Sequence, residues 1–161
     1  MKVLFEKIEE ISDRKVEYYS VRLGEKPITE FELFDAKDFL KHDEELQIIY
    51  NVIDQMRWRG ARQFFFKQEG PANALPRVNQ EIIDANNEDF GLRLYCIRLT
   101  DNLVVLLNGD IKTKINPVDC PNVRLHFRNA LKIAQKLDKA LLDKEVNYLE
   151  TDCLLDFEIE I

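Results

Sequence analysis

The clearest pattern of hydrophobic and polar positions lies in the middle of the chain. Two apolar runs, residues 92–99 and 103–108, are separated by a short polar turn at 100–102. Runs of this kind predict a β-hairpin, and the second run is apolar enough to be a central strand covered on both faces. The rest of the fold is expected to form around this hairpin.

Alternation of side chains along the hairpin strands concentrates polar chemistry on one surface. Arg93 and Tyr95 share a face of the first strand, whereas Arg98, an odd number of positions from Arg93, faces the other way. Both arginines can line one site only if a bulge intervenes. Lys112 and Lys114, again two positions apart, follow the second strand. The hairpin therefore predicts a surface that combines several cations with a phenol.

Two helices are predicted before the hairpin. Residues 15–23 alternate as a strand and end in a turn at 24–27, after which Thr29 is a suitable N-cap for a first helix. Asp43 can cap a second helix, which Gly60 closes. The apolar stripe of the second helix consists of Leu46, Ile49, Tyr50, Ile53 and Met56. The spacing predicts two antiparallel helices joined by a few residues.

Weaker patterns cover the remaining segments. Residues 2–12 place apolar residues at helical spacing, and residues 122–142 do so more strongly. Residues 69–90 contain two prolines and several Asn and Asp, which predicts a long surface loop with a helical turn near 80–85. Residues 153–161 alternate strictly, which predicts an amphipathic strand that pairs with an open sheet edge, within the chain or across a dimer.

Cations and aromatics are interleaved around the end of the second predicted helix. The residues are Arg57, Trp58, Arg59, Arg62, Phe64, Phe65, Phe66 and Lys67. A single-stranded RNA surface needs cations for phosphates and rings for base stacking. Alternatively, the cations complement the dipole at a helix C-terminus, and the Phe run is a buried strand. The sequence leaves both interpretations open.

Composition narrows the class of protein. With 161 residues, 45% of them hydrophobic and 33% charged, the chain is expected to be one globular domain. A net charge of −7 argues against a general nucleic-acid binder, although residues 57–136 hold 13 Lys/Arg against 8 Asp/Glu. No apolar run approaches the roughly 20 residues of a membrane span, and the N-terminus turns acidic too soon for a signal peptide. A cytoplasmic protein with no membrane partner is expected.

Metal and cofactor sites are not predicted. Cys96, Cys120 and Cys153 form no C-x-x-C pair, and the chain has only two histidines, so a zinc site lacks ligands at workable spacing. Cys96 is expected to be a core thiol on a strand, with a catalytic cysteine as the alternative. The candidate chemistry is therefore that of Arg, Lys, Tyr and His side chains.

The order of motifs along the chain resembles a known protein family. The hairpin reads Leu-Arg-Leu-Tyr-Cys-Ile-Arg from position 92, then an apolar strand, then Asn-Gly-x-Ile-Lys-x-Lys from position 108, followed by a predicted helix. Upstream, residues 18–31 combine a strand, a turn and a Pro-x-x-Glu-Phe segment. This series resembles the RelE/HigB-like type II toxins of the RelE/ParE superfamily. The likeness covers residues 16–140 and leaves 1–15 and 141–161 as extensions of a single domain.

The resemblance implies an α+β fold. A mostly antiparallel, twisted sheet would pack against an N-terminal helical hairpin and a C-terminal helix, with the 153–161 strand as an addition. It also implies a toxin of a toxin-antitoxin system, or a protein derived from one, that cleaves mRNA, with ribosome contact and an antitoxin as partner. Such endoribonucleases work without metal, because the ribose 2′-OH attacks the adjacent phosphate while side chains transfer protons and stabilise the phosphorane.

Candidate site residues follow from the same resemblance. The candidate catalytic residues are Arg93, Tyr95, Lys112 and Lys114. The candidate substrate-binding residues are Arg98, Lys67, Arg62 and His126. Tyr95 would stack on a base or donate a proton, the arginines and the hairpin lysines would contact phosphate, and His126 alone titrates near neutral pH when unperturbed.

Two other interpretations remain open. In the first, the cations form only a solvated sheet face. In the second, the protein has this fold but is a non-enzymatic binding or regulatory protein, an antitoxin-binding protein or a gyrase poison, because fold does not fix function. The acidic strand at 153–161 is a further hypothesis. If it adds to the sheet edge beside the basic hairpin, its carboxylates would compete with phosphate for the same cations. It could instead form a homodimer.

Overall fold

The computed structural model of the protein describes residues 1–77 and 90–161. In this part of the chain, seven strands form one mixed sheet. The strands are β1 (Lys2–Lys7), β2 (Glu17–Leu23), β3 (Lys67–Glu69), β4 (Ala72–Leu75), β5 (Gly91–Thr100), β6 (Leu103–Lys112) and β7 (Glu158–Glu160). Their order across the sheet is β3-β4-β5-β6-β2-β1-β7. All neighbours are antiparallel except β2 and β6, which run parallel.

Helices cover both faces of this sheet. In the described residues, the helices are α1 (Glu30–Asp35), α2 (Asp43–Arg59) and α3 (Arg124–Leu142). On one face, α1 and α2 pack on β5 and β6 through residues such as Phe34 and Ile53. On the other face, α3 packs through Ile133 and Leu137. The α+β prediction is confirmed, with a sheet larger than expected. Among the described residues, no helix is both long and apolar enough to cross a membrane.

The predicted hairpin is confirmed as β5 and β6. Leu94 and Cys96 face α1 and α2, whereas Tyr95 and Ile97 face α3, as the alternation predicts. Burial raises the pKa of the Cys96 thiol, which is a core group. The register shifts between Leu94 and Cys96, where the partner strand carries an extra residue. This bulge changes the direction of the end of β6, which carries Lys112 and leads to Lys114.

The sequence signals for α1 and α2 are largely confirmed. Thr29 caps α1 in a capping box, because its hydroxyl accepts from the Glu32 amide and the Glu32 carboxylate accepts from the Thr29 amide. Helix α2 ends at Gly60, whose φ of 85° suits glycine. Asp43 is the first residue of α2 rather than its cap, which is His42. The Asp43 carboxylate still lies in the first turn of α2, where the helix dipole favours negative charge.

Two segments were predicted wrongly. Residues 2–7 form strand β1 rather than a helix, because Val3 and Phe5 alternate into the core between neighbouring strands. Residues 72–75 form the buried strand β4 rather than part of a loop, and they pair with β5. Both strands are short, so tertiary pairing overrides a weak local signal. The helical turn predicted near 80–85 lies outside the described residues.

The C-terminal segment pairs within the chain. Only Glu158–Glu160 forms the strand predicted for 153–161, and it pairs with β1. Asp152 and Asp156 have positive φ values of 56° and 58°, so the chain turns repeatedly before β7. Strands β1 and β2 separate β7 from the hairpin. The hypothesis that the tail's carboxylates lie beside the hairpin cations is therefore wrong: Glu158 pairs with Lys2, at 2.8 Å.

Candidate functional site

Charged and polar residues from five separate segments lie at the end of the hairpin that is far from its turn. We name them the hairpin-end cluster. The cluster consists of Glu30 from α1, Lys37 from the following loop, Arg93 from β5, Asn108, Asp110 and Lys112 from β6, and His126 from α3. Arg93 on β5 is paired with Asp110 on the neighbouring strand β6. Since side chains two apart on a strand share a face, Lys112 lies on the same face as Asp110.

Lys37 is at the centre of the cluster. Its Nζ donates to Asn108 Oδ1 at 3.0 Å and to the Gly109 carbonyl at 2.7 Å. The same atom lies 3.4 Å from His126 Nε2 and 3.6 Å from Asp110 Oδ2. Burial lowers the pKa of Lys37 although the Asp110 carboxylate raises it. Lys37 thus ties the α1 loop to the bulge of β6 and to α3.

A buried polar chain continues from Lys37 towards α1. Asn108 is buried, and its Nδ2 donates to Glu30 Oε2 at 3.0 Å. Glu30 is only 4% exposed, and its other oxygen accepts from Lys26 at 2.8 Å. Buried charges cost free energy unless they are paired and hydrogen-bonded. Lys37, Asn108, Glu30 and Lys26 form a continuous series of hydrogen bonds, so the buried Glu30 carboxylate is both hydrogen-bonded and paired with a cation.

His126 is held neutral by this arrangement. Burial and the adjacent Lys37 charge lower its pKa to about 4, while Glu30 and Asp110 oppose the shift. Because the Lys37 ammonium has only donors, the facing Nε2 must accept, which places the histidine proton on Nδ1. A neutral imidazole can accept a proton, but a pKa of about 4 makes it a weak base at pH 7.

The pKa of His126 predicts a loss of stability in acid. The folded-state pKa of about 4 lies below the ordinary 6.5, so the folded state resists protonation. Stability is therefore full above pH 6.5 and falls as the pH drops towards 4, by about 2 kcal/mol after allowance for partial exposure. Urea unfolding of the wild type and of His126→Gln at pH 7.5 and 4.5 measures this loss. The substitution should remove it, whereas His42→Gln, at the other histidine, should retain it.

An open cleft adjoins the cluster. Its volume is about 630 Å³, and Lys37, Asp110 and Ile111 form one side. Lys41 and His42, from the 3₁₀ turn directly before α2, line the other side together with Asp38 and Phe39. A cleft of this size admits a small-molecule-sized group such as a nucleotide. The cleft therefore gives solvent access to one flank of an otherwise buried network.

The four candidate catalytic residues differ in exposure. Arg93 and Lys112 are buried at the hairpin end, and Lys114 is exposed just beyond it. Tyr95 is fully buried, its ring packs edge-on against Phe127 at 5.8 Å, and burial raises the pKa of its hydroxyl. A role for Tyr95 as base stacker or proton donor would require its ring to become exposed first.

The candidate substrate-binding residues are not brought together. His126 belongs to the hairpin-end cluster, but Arg98 lies near the hairpin turn, where it bonds the Ala61 carbonyl and Asp101. Arg62 lies 4.0 Å from Asp101. Lys67 is on the edge strand β3, 3.5 Å from Glu69. Since β5 has 10 residues, the two ends of the hairpin are about 30 Å apart.

The basic and aromatic stretch divides into a buried and an exposed part. Phe65 and Phe66 are buried, as the packing interpretation predicts, although Phe65 ends a 3₁₀ turn rather than lying in a strand. Trp58 is 77% exposed and Phe64 is 47% exposed, with the Arg59 guanidinium 5.4 Å above the Phe64 ring. The turn-side patch is defined as Trp58, Arg59, Arg62 and Phe64. It can offer rings and cations to a ligand.

Sequence reasoning missed the residues that organise the cluster. Lys37, Asn108 and Glu30 come from segments interpreted as the end of the first helix, a core strand and a helix entry. One signal was available: the polar pair Asn108-Gly109 interrupts an apolar strand, which often marks a bulge.

In the described part of the chain, no group of three or more His, Cys, Asp or Glu side chains is arranged to hold a metal ion.

Comparisons with known proteins add no identification. No protein-family model, no curated protein and no solved structure matches the chain.

Proposed function

We propose that the protein is a RelE/HigB-like toxin of a toxin-antitoxin system, or is derived from one, and cleaves mRNA without metal at the ribosome. One observation carries the proposal. At the hairpin end, Lys37 lines an open cleft and contacts the neutral His126, and the buried cations Arg93 and Lys112, both predicted from the sequence as site residues, lie at the same end. A phosphodiester in that cleft would meet the ammonium groups of Lys37 and Lys41, which favour the charged transition state.

Roles in the reaction follow from the positions of the groups. The 2′-OH attacks the adjacent phosphorus, its proton passes to a base, and the leaving 5′-oxygen gains a proton, which gives a 2′,3′-cyclic phosphate and a 5′-OH. Lys41 and Lys114 are exposed and would hold phosphate oxygens. Neutral His126 and Lys37, whose pKa is lowered, would transfer protons. Arg93 and Lys112 would contribute charge from beneath the site.

The turn-side patch supports contact with single-stranded RNA. Exposed rings at Trp58 and Phe64 suit stacking, and Arg62 suits phosphate. The patch and the cleft lie near opposite ends of the hairpin, so an RNA strand that reached both would run along the domain. In this proposal, one end of the domain binds RNA and the other carries out the chemistry.

A second candidate function is favoured by a different observation. Lys37 already donates to protein acceptors, and Tyr95 is fully buried. Both facts suit a structural network better than a catalytic one. The alternative is therefore a binding or regulatory protein, without enzymatic activity, that retains a RelE-like fold.

Induced expression in bacterial cells separates the two candidates. The enzyme predicts growth arrest with mRNA cleavage, and both should fall at least about tenfold in Lys41→Ala/Lys114→Ala, because two exposed phosphate contacts are lost without disturbing the core. Lys132→Ala/Lys136→Ala, at two exposed lysines on α3, is the matched control and should stay active.

The same experiment can contradict the proposal. Harmless expression of folded wild-type protein would favour the binding protein. Equal loss of activity in both double variants would contradict the assignment of Lys41 and Lys114 as phosphate contacts. Arg93→Ala and Lys112→Ala are poor first choices, because both side chains are buried and their removal alters folding as well as activity.

A further inference from the structure

A second concave surface lies on the α1 and α2 side of the sheet, away from the residues used above. It is a groove of about 490 Å³ between the segment after β1, helix α1 and helix α2. Ile8, Ile11 and Phe31 line it and are only partly buried. Exposed apolar side chains grouped in a concave surface mark interaction sites more often than scattered ones do. We call this surface the acid-rimmed groove.

One wall of the acid-rimmed groove is a helix face. Tyr50, Ile53, Asp54 and Arg57 line it from α2, at positions i, i+3, i+4 and i+7. These positions form one stripe of about two turns, roughly 10 Å long. A second helix laid beside such a stripe can insert its own side chains between the ridges.

The rim carries strong negative charge. Its carboxylates are Glu10, Glu32, Asp35 and Asp54. The cation among the lining residues, Arg57, lies 3.4 Å from Asp54 and 3.6 Å from Asp13, so its charge is already balanced. Phosphate-bearing ligands and anionic lipid would be repelled by this rim. A cationic ligand would be attracted.

We propose that the acid-rimmed groove binds an amphipathic helix of a partner protein, with apolar anchors on one face and Lys or Arg beside them. The apolar floor fits the anchors, the α2 stripe fits a helix of two or more turns, and the carboxylates pair with the flanking cations. Charge complementarity selects this occupant over nucleic acid. The inference does not depend on the RNA cleavage proposed above, because it uses neither the cleft nor the hairpin-end cluster.

A designed peptide tests the groove directly. The probe is an 18-residue helical peptide with leucines at i, i+3, i+4 and i+7 and lysines elsewhere on its surface. Titrated into ¹⁵N-labelled protein, it should shift the amide signals of residues 8–11, 31–35 and 50–57. Glu10→Gln/Asp35→Asn/Asp54→Asn should weaken binding about tenfold, since three exposed ion pairs are lost. Ile11→Ser should weaken binding as well, because it removes part of the apolar floor.

Matched controls guard against general attraction between opposite charges. Glu25→Gln/Glu145→Gln/Glu150→Gln removes the same charge from exposed sites elsewhere and should leave affinity within about twofold. Equal weakening by both triple variants, or shifts scattered over the whole surface, would overturn the proposal. Sedimentation measures whether the protein self-associates as its concentration rises. Self-association that abolished the peptide-induced shifts would also overturn the proposal, because a second copy would then occupy the groove.

Discussion

Gly109→Ala is expected to unfold the protein or to destabilise it by more than about 4 kcal/mol, the range of exceptional core lesions. Gly109 lies in the bulge of β6, directly against β5. A Cβ at this position would lie 1.8 Å from the Arg93 carbonyl oxygen and 3.0 Å from the Leu94 Cα. Both are backbone atoms of the central strand, so no side chain can move aside. Circular dichroism with urea unfolding measures the loss.

Gly24→Ala provides the control for this substitution. Gly24 has a φ of +59°, but a Cβ there would meet only the flexible Met1 side chain, at 3.8 Å. The expected cost is about 1 kcal/mol, from the left-handed backbone alone. Similar destabilisation by the two substitutions would show that the close approach at Gly109 relaxes easily.

Lys37→Met is expected to destabilise the protein by about 3 kcal/mol. The substitution keeps most of the aliphatic volume but removes the donor that serves Asn108 and the Gly109 carbonyl. It also leaves Asp110 without the ammonium 3.6 Å away. The Gly109 carbonyl loses this donor, which costs about 1–3 kcal/mol, whereas Asn108 Oδ1 keeps the Gly109 amide as a donor, and the carboxylate that loses its partner adds to the cost. Equilibrium urea unfolding at pH 7.5 is the measurement.

Lys41→Met tests whether this cost is specific to the network. Lys41 lines the same cleft but is exposed. Its replacement should change the free energy of unfolding by less than about 0.5 kcal/mol, as is usual for surface positions. If Lys37→Met were equally mild, the cluster would be a surface feature that contributes little to the fold, and its groups would be freer to act on a ligand.

Local signals predicted the parts of the fold that are stabilised locally. The hairpin has two long apolar strands with a short turn, and Thr29 with Glu32 forms a capping box within four residues. In each case the stabilising partner lies nearby in sequence, so the pattern contains the evidence. The apolar stripe of α3 is also visible within the helix itself, although the strands on which it packs are distant in sequence.

Distant partners explain what the sequence did not reveal. Strands β1 and β4 have only six and four residues of weak pattern. Pairing with β2 and β7, and with β5, makes them strands. Lys37 has no distinctive local context, yet its acceptors are more than 70 positions away. Arg93 and Tyr95 were placed correctly on one strand face, but the pattern could not show that α3 covers that face.

The single parallel pairing in the sheet determines how the domain can assemble. Strands β5 and β6 are neighbours in sequence, and so are β1 and β2, but the two pairs meet only where Glu17, Tyr18 and Tyr19 align with Leu103, Val104 and Val105. Closing that contact brings together positions about 85 residues apart, and its entropic cost must be met before the contact stabilises anything. The hairpin can therefore form early and on its own, whereas the rate-limiting step of folding is expected to be its docking onto the N-terminal strands.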